Sequence, residues 1–280
     1  MSPASPASLS RQIAFIGGGN MASAIIGGLL KQGMAASQMQ VVEPFAEQSA
    51  KLRQQFGVEV EAVPGAELAK ADLVVWAVKP QTFREAAEQA SEFTRQALHL
   101  SVAAGIRSSS IAHWLGTDRI VRAMPNTPAL VGKGITALFA RGAVSFEDRD
   151  LVDSVIQTTG EHLWLEDETQ LDVVTALSGS GPAYVFYFLE AMIDAGEQMG
   201  IGREQARQLA VATFAGSSAL ARASQDPPEI LRGRVTSKGG TTHAAITNME
   251  ASGVKQQFVA AMHAARQRAV ELGDEFGDAA

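Results

Sequence analysis

Two short stretches of this chain gather residue types that do chemistry. The first is IGGGNMASA at 16–24, which sets Gly17, Gly19 and Ala22 in a G-x-G-x-x-A arrangement straight after an apolar run. In such a turn the first glycine permits the tight reversal, the second lets an anion approach the backbone, and the small third residue lets the next helix sit close to the strand. The helix start adds free N–H groups and a partial positive charge, which suit a pyrophosphate. The second stretch is RVTSKGGTTHAAI at 234–246. It collects hydroxyls at Ser237, Thr241 and Thr242 beside Gly239 and Gly240, with no carboxylate. Inward-pointing backbone N–H groups at a helix start near Thr242 make a carboxylate cradle by the physics that holds phosphate. A threonine hydroxyl there donates a hydrogen bond to a substrate nitrogen or relays a proton towards it. The same residues also make an ordinary helix-capping loop, and the segment alone leaves both readings open.

Further candidates stand at the ends of apolar runs. Glu43 lies 26 residues after Gly17. An acidic side chain there accepts hydrogen bonds from adenosine ribose hydroxyls and repels a 2′-phosphate, which favours NADH over NADPH; the alternative is a solvated loop glutamate. AVKPQ (77–81) and SVAAG (101–105) end two more runs, and ligands of open α/β sheets lie beyond the carboxyl ends of strands. Pro80 fixes the chain's exit, Ala103 and Ala104 leave room for a flat ring, and Lys79 either faces the cofactor or carries a surface charge. In MPNTPA (124–129), Asn126 and Thr127 either line the site or make the turn. A nicotinamide carries the electrons itself, so the protein need only orient a substrate and manage one proton.

The elements that position these residues follow from periodicity. Short apolar runs at 12–20, 39–43, 71–80, 97–105, 118–129, 134–140 and 162–166 alternate, over the first three of them and beyond, with helical patterns at 21–32, 47–56 and 81–90. That is the βαβ signature of a parallel sheet. After about residue 168 strand alternation stops. Ser180 reads as an N-cap, with Gly181 and Pro182 opening a helix to 199; further helices are expected at 203–224, after Pro227 and Pro228, at 242–250 and at 255–272. The boundary has no flexible linker. Residues 183–189, AYVFYFL, are apolar all round the helix, whereas a surface helix shows only a stripe. A helical region of this size cannot readily enclose such a helix alone, so a second subunit is the economical cover.

Bulk properties exclude several classes. The chain has 280 residues, 46% hydrophobic content and a formal net charge of −7, enough for a large core but a poor fit to nucleic acid or an anionic membrane. There is no cysteine, which rules out disulfides, thiolate nucleophiles and cysteine zinc sites. The five histidines show no i, i+4 pairing, so no metal is expected. No run is long enough to cross a bilayer. Residues 1–10, MSPASPASLS, lack the apolar core of a secretory signal and read as a disordered lead-in. The expected location is cytoplasmic.

In order along the chain, IGGGNMASAI, AVKPQ, SVAAGI, MPNTPALVG, LSGSGPAYVF and VTSKGGTTHAAI resemble the pyrroline-5-carboxylate reductase family over about 13–272. The resemblance implies reduction of the cyclic imine Δ1-pyrroline-5-carboxylate to L-proline by NADPH or NADH. It implies an α/β fold: a Rossmann-type, doubly wound, mostly parallel sheet at 11–167, plus an all-α dimerisation and substrate-binding domain at 168–280. It implies homodimers, often assembled into decamers, in which one subunit's cofactor domain meets its partner's helical domain. By position, Gly17, Gly18, Gly19, Asn20, Met21 and Ala22 then contact the pyrophosphate. Ala77, Val78, Lys79 and Pro80, with Val102, Ala103 and Ala104, contact ribose and nicotinamide. Gly239, Gly240, Thr241 and Thr242 hold the substrate, with Thr242 the proton donor or water-holder and Ser237 a catalytic partner in the same loop. Lys238 stands where many members have proline, and Arg234 where some have asparagine. The rival readings are another two-domain dehydrogenase, which needs a lysine on a helix that neither Lys238 nor Lys255 supplies, and a non-catalytic dinucleotide-binding protein.

Overall fold

The computed structural model describes residues 11–277; the expected lead-in at 1–10 lies outside them. By compactness the chain divides into two units. One comprises the residues up to Ser180 and those from Ala265 onward, and the other is Gly181–Ala264.

The first unit is built on one sheet. Its strands are β1 (Ile13–Ile16), β2 (Met39–Val42), β3 (Glu59–Glu61), β4 (Leu73–Trp76), β5 (Leu98–Ser101), β6 (Ile120–Met124), β7 (Gly134–Ala140) and β8 (Gly160–Leu165). They lie in the order β3-β2-β1-β4-β5-β6-β7-β8, and every neighbouring pair is parallel except β6–β7. The helices of this unit are α1 (Asn20–Lys31), α2 (Ala46–Phe56), α3 (Pro80–Thr94), α4 (Ser108–Leu115), α5 (Phe146–Ile156) and the short α6 (Gln170–Val174). The period of two along each strand sorts side chains into two cores. Ile13, Phe15, Leu73 and Val75 pack with Ile25 and Ile26 of α1 and Val152 of α5. Ala14, Ile16, Val74 and Trp76 pack with Phe83 of α3 and Ile111 of α4. Strands apolar on both faces are what a sheet covered by helices on both sides requires. The order reverses between β2-β1 and β4-β5, which opens a crevice at the carboxyl ends of β1, β2 and β4.

Several boundaries differ from the sequence expectation. The strand expected at 71–80 ends at Trp76, and Pro80 does not terminate it but opens α3 at its first position, with Lys79 as the cap. Proline lacks an N–H and has a pre-set φ, so it suits that place. Strand β3 and helices α4 and α5 were not expected.

By compactness, residues 168–180 count with the first unit. Glu168 accepts from the Ser108 N–H and Oγ, both at 2.6 Å, and pairs with Arg122 at 2.6 Å. Asp172 pairs with Arg107 at 2.8 Å. Burial opposes ionisation of Glu168, yet Arg122 and Ser108 together hold its carboxyl below the usual range. These bonds staple the segment to β6 and to the start of α4. A π-turn, Thr175–Gly179, then leads into α7 (Gly181–Gln198). Ser180 is therefore not the N-cap that was expected. Its φ of −83° and ψ of −17° are already helical, and its N–H bonds the Thr175 carbonyl at 2.8 Å, so the chain arrives with its amides partly satisfied.

The second unit holds α7, α8 (Arg203–Ala223), α9 (Pro228–Arg234), α10 (Thr241–Ala251) and the first part of α11 (Val254–Gly277). Its buried core is small: Ile193, Ala206 and Ala210, with Leu189 against them. Phe186 and Tyr187 of α7 are 58% and 71% exposed. The chain does not itself enclose the apolar helix, as the burial argument required.

Candidate functional site

The glycine turn after β1 is shaped by its neighbours. Gly17 has φ +91°, and a Cβ there would stand 2.7 Å from the Ala77 carbonyl oxygen. Only glycine takes this conformation cheaply and also tolerates the approach of the β4–α3 turn. Gly19 is different. It caps α1 in an extended conformation, and an added Cβ would meet nothing within 4 Å. The fold does not require a glycine there, and the space in front of it is open. No side chain caps α1 and no acid stands in its first turn, so its leading N–H groups face outward unspent. That is a cradle fitted to a pyrophosphate.

The cleft in front of this turn has a volume of about 820 Å³. Of the expected residues, Gly17, Gly18, Gly19, Glu43, Ala77, Val78 and Lys79 line it. Asn20, Met21, Pro80, Val102, Ala103 and Ala104 do not. Ala22 is fully buried beneath the turn and Ala103 is buried at the end of β5, where their small side chains allow close packing. Phe45, Gln48, Lys51 and Thr82 also line the cleft and were not anticipated. Only the helical register of α2, which turns positions 48 and 51 towards the glycine loop, identifies Gln48 and Lys51.

Glu43 does not have the surroundings expected of a ribose-reading carboxylate. It is 6% exposed. One oxygen accepts the Gly18 N–H at 2.9 Å and the other accepts the Phe45 N–H at 2.9 Å. Gln48 reinforces the same loop by donating to the Gly18 carbonyl at 2.6 Å. Glu43 is thus an anchor of the glycine turn. Each carboxylate oxygen accepts one backbone amide, so Glu43 holds the glycine turn while also lining the cleft.

Asn126 makes the turn. Its Nδ2 donates to the Ser178 carbonyl at 3.2 Å, and its Oδ1 accepts the Ile135 N–H at 3.0 Å. Thr127 begins the 3₁₀ turn Thr127–Val131.

In the second unit, the hydroxyl-rich loop leads into α10. Gly239 has φ +74°. Gly240 is the extended N-cap residue, and its N–H returns to the Ser237 carbonyl at 3.0 Å. Thr241 and Thr242 are the first two residues of the helix; no side chain caps it and no acid stands in its first turn. Among the described residues, the hydroxyls of Ser237, Thr241 and Thr242 have no partner within the chain. The loop thus caps α10 through the backbone of Gly240 and through no side chain. Arg234 pairs with Asp226 at 2.7 Å.

Comparison with known proteins bears on the family. Residues 168–272 match the family model for pyrroline-5-carboxylate reductase dimerisation, and residues 12–105 match one described as NADP oxidoreductase, coenzyme F420-dependent. The chain is 44% identical to the pyrroline-5-carboxylate reductase of Pseudomonas aeruginosa over 95% of its own length and 98% of the relative's. Among solved structures, it is similar to a pyrroline-5-carboxylate reductase from Coxiella burnetii, with a TM-score of 0.86, 37% identity and coverage of 94% and 98% of the two chains. It is also similar to the Plasmodium falciparum pyrroline carboxylate reductase with NADP bound, with a TM-score of 0.85, 27% identity and coverage of 95% and 99%.

Proposed function

The chain belongs to the pyrroline-5-carboxylate reductase family, and from that premise we propose how its own residues reduce Δ1-pyrroline-5-carboxylate to L-proline, the final step of proline biosynthesis, with NADPH or NADH. The protein is an oxidoreductase acting on a C=N bond. The observation that carries the assignment of roles is the set of free hydroxyls on Ser237, Thr241 and Thr242 at the uncapped start of α10. It is matched by the open, uncapped glycine cradle at the start of α1.

A bound reduced nicotinamide supplies the electrons and one hydrogen to the imine carbon. The chain's part is to bind, orient and manage one proton. The leading amides of α1 and the open turn at Gly19 hold the pyrophosphate, with Ala77, Val78 and Lys79 lining the same cleft. The amides of Thr241 and Thr242 hold the substrate carboxylate, and Gly239 and Gly240 shape the turn that presents them. The Thr242 hydroxyl faces the ring nitrogen and passes a proton to it or holds the water that does; Ser237 sits in the same loop as its partner. Holding the reacting atoms at about 3–3.5 Å contributes about 7–11 kcal/mol to the rate.

The dimerisation region and the exposed apolar side chains of α7 support a homodimer as the minimal unit, and a decamer of such dimers belongs to the same proposal. The absence of cysteine fits a reducing compartment, and the cytoplasm is the proposed location. No helix among the described residues is long and apolar enough to cross a membrane.

The test is loss of NADPH or NADH absorbance on adding pyrroline-5-carboxylate, with Thr242→Ala beside the natural protein. Loss of proton management lowers kcat about 10²-fold or more. Turnover of Thr242→Ala at the natural rate removes Thr242 from the proton step, and dinucleotide binding with no turnover in the natural protein refutes the reductase reading.

A further inference from the structure

The adenosine end of the cleft carries a specificity device that the glycine motif does not reveal. Once the pyrophosphate lies on α1, the adenosine must run over the end of β2, towards the corner formed by residues 43–48 and the first turns of α2. The polar groups of that corner divide into two sets. The Glu43 carboxylate and the Gln48 amide are committed to the Gly18 and Phe45 backbone. The remaining pair is Lys51 and Glu47, both on the cleft wall. They meet each other at 2.8 Å with side chains 61% and 85% exposed. An exposed pair one helical turn apart is weakly held and readily exchanged. Phe45 adds a ring that is 73% exposed, a stacking surface for a base. The other cation of the cleft, Lys79, stands at the cap of α3, after β4.

We propose that Lys51 is the specificity-determining residue for the 2′-phosphate of NADPH: its ammonium leaves Glu47 to pair with that phosphate, and Glu47 is the built-in competitor that keeps NADH acceptable. The inference rests on the cofactor reading above. A phosphate monoester carries more charge and more acceptor oxygens than a carboxylate, so it outcompetes Glu47 when present. With NADH the Lys51–Glu47 pair stays closed and nothing is lost.

The experiment measures dissociation constants of the full-length protein for NADPH and NADH by nicotinamide fluorescence. The fragments 2′,5′-ADP and 5′-AMP are measured alongside by calorimetry. Lys51→Ala is expected to weaken NADPH and 2′,5′-ADP about tenfold or more, as loss of a charge-assisted pair does, and to leave NADH and 5′-AMP unchanged. Glu47→Gln is expected to tighten NADPH several-fold with NADH again unchanged, and Lys51→Arg restores much of the lost discrimination. Phe45→Ala weakens all four ligands together. Equal weakening of both dinucleotides by Lys51→Ala, or no effect on either, overturns the role of Lys51 while leaving the cofactor site in place. Failure of the natural protein to bind either dinucleotide overturns the cofactor reading and this inference with it.

Discussion

Replacing Glu43 separates two accounts of the same carboxylate. In the structure, its two oxygens accept the Gly18 and Phe45 amides at 2.9 Å each, and the residue is 6% exposed. Glu43→Ala leaves both amides without a partner in a place water barely reaches. An orphaned buried amide costs about 1–3 kcal/mol, so the pair amounts to about 2–6 kcal/mol. Glu43→Gln keeps the shape and one acceptor but turns an NH₂ group towards the other amide, so its cost is about 1–3 kcal/mol. The glycine turn loses its anchor in both variants, and NADPH and NADH should weaken by the same factor because both use the same pyrophosphate cradle. Urea denaturation gives the stability change, and fluorescence titration gives the two dissociation constants. If stability is unchanged in Glu43→Gln while preference moves towards NADPH, the carboxylate reads the ribose and the anchor argument is wrong.

Two further predictions use the same logic. Gly17→Ala forces a side chain into φ +91° and to 2.7 Å from the Ala77 oxygen, a backbone penalty of about 1–2 kcal/mol before the clash is counted, so both stability and dinucleotide binding should fall. Gly19→Ala has φ −70° and no neighbour within 4 Å; its melting temperature should match the natural protein while binding drops, and a Gly19→Ala that binds normally removes the pyrophosphate from this turn. Burial pulls His99 down from 6.5 to about 4, its ring accepting from the Trp76 indole at 3.0 Å. As pH falls from 6.5, the unfolded chain takes up the proton first. The stabilisation is thus intact above 6.5, declines through the window and is gone below about 4. At about 1.36 kcal/mol per pH unit the loss totals about 3 kcal/mol. His99→Gln keeps an acceptor for Trp76 and should flatten the urea midpoint across that window; an unchanged slope assigns the acid sensitivity to other groups.

What was legible in the sequence was legible because its physics is local. The apolar runs of β1, β4 and β7 stand out by composition, and Gly57, which ends α2 at φ +68°, is a stop written in one residue. The start of α5 was equally local, since Ser145 and Asp148 form a reciprocal capping pair, but its helix pattern is weakly amphipathic and passed unnoticed. β3 is three residues at the sheet edge and has no periodicity to read. The site divides in the same way. The glycines of both motifs announce backbone conformations that few other residues adopt. Whether a given carboxylate faces a ligand or a main-chain amide is not written locally.

By itself, then, the sequence determined most of the strands and helices though not β3, α4 or α5, the two glycine-bearing cradles and the excess of apolar surface on α7, each set by a residue's own conformational range or by hydrophobic period. Tertiary structure alone decided that Glu43 serves the loop, that Phe45 and Lys51 reach the cleft, and that residues 168–180 are held to the first unit by Glu168 and Asp172. Those outcomes depend on pairs such as Arg122 and Glu168, 46 positions apart. Which partner a polar group finds is settled by the closest one left after folding, not by its neighbours along the chain.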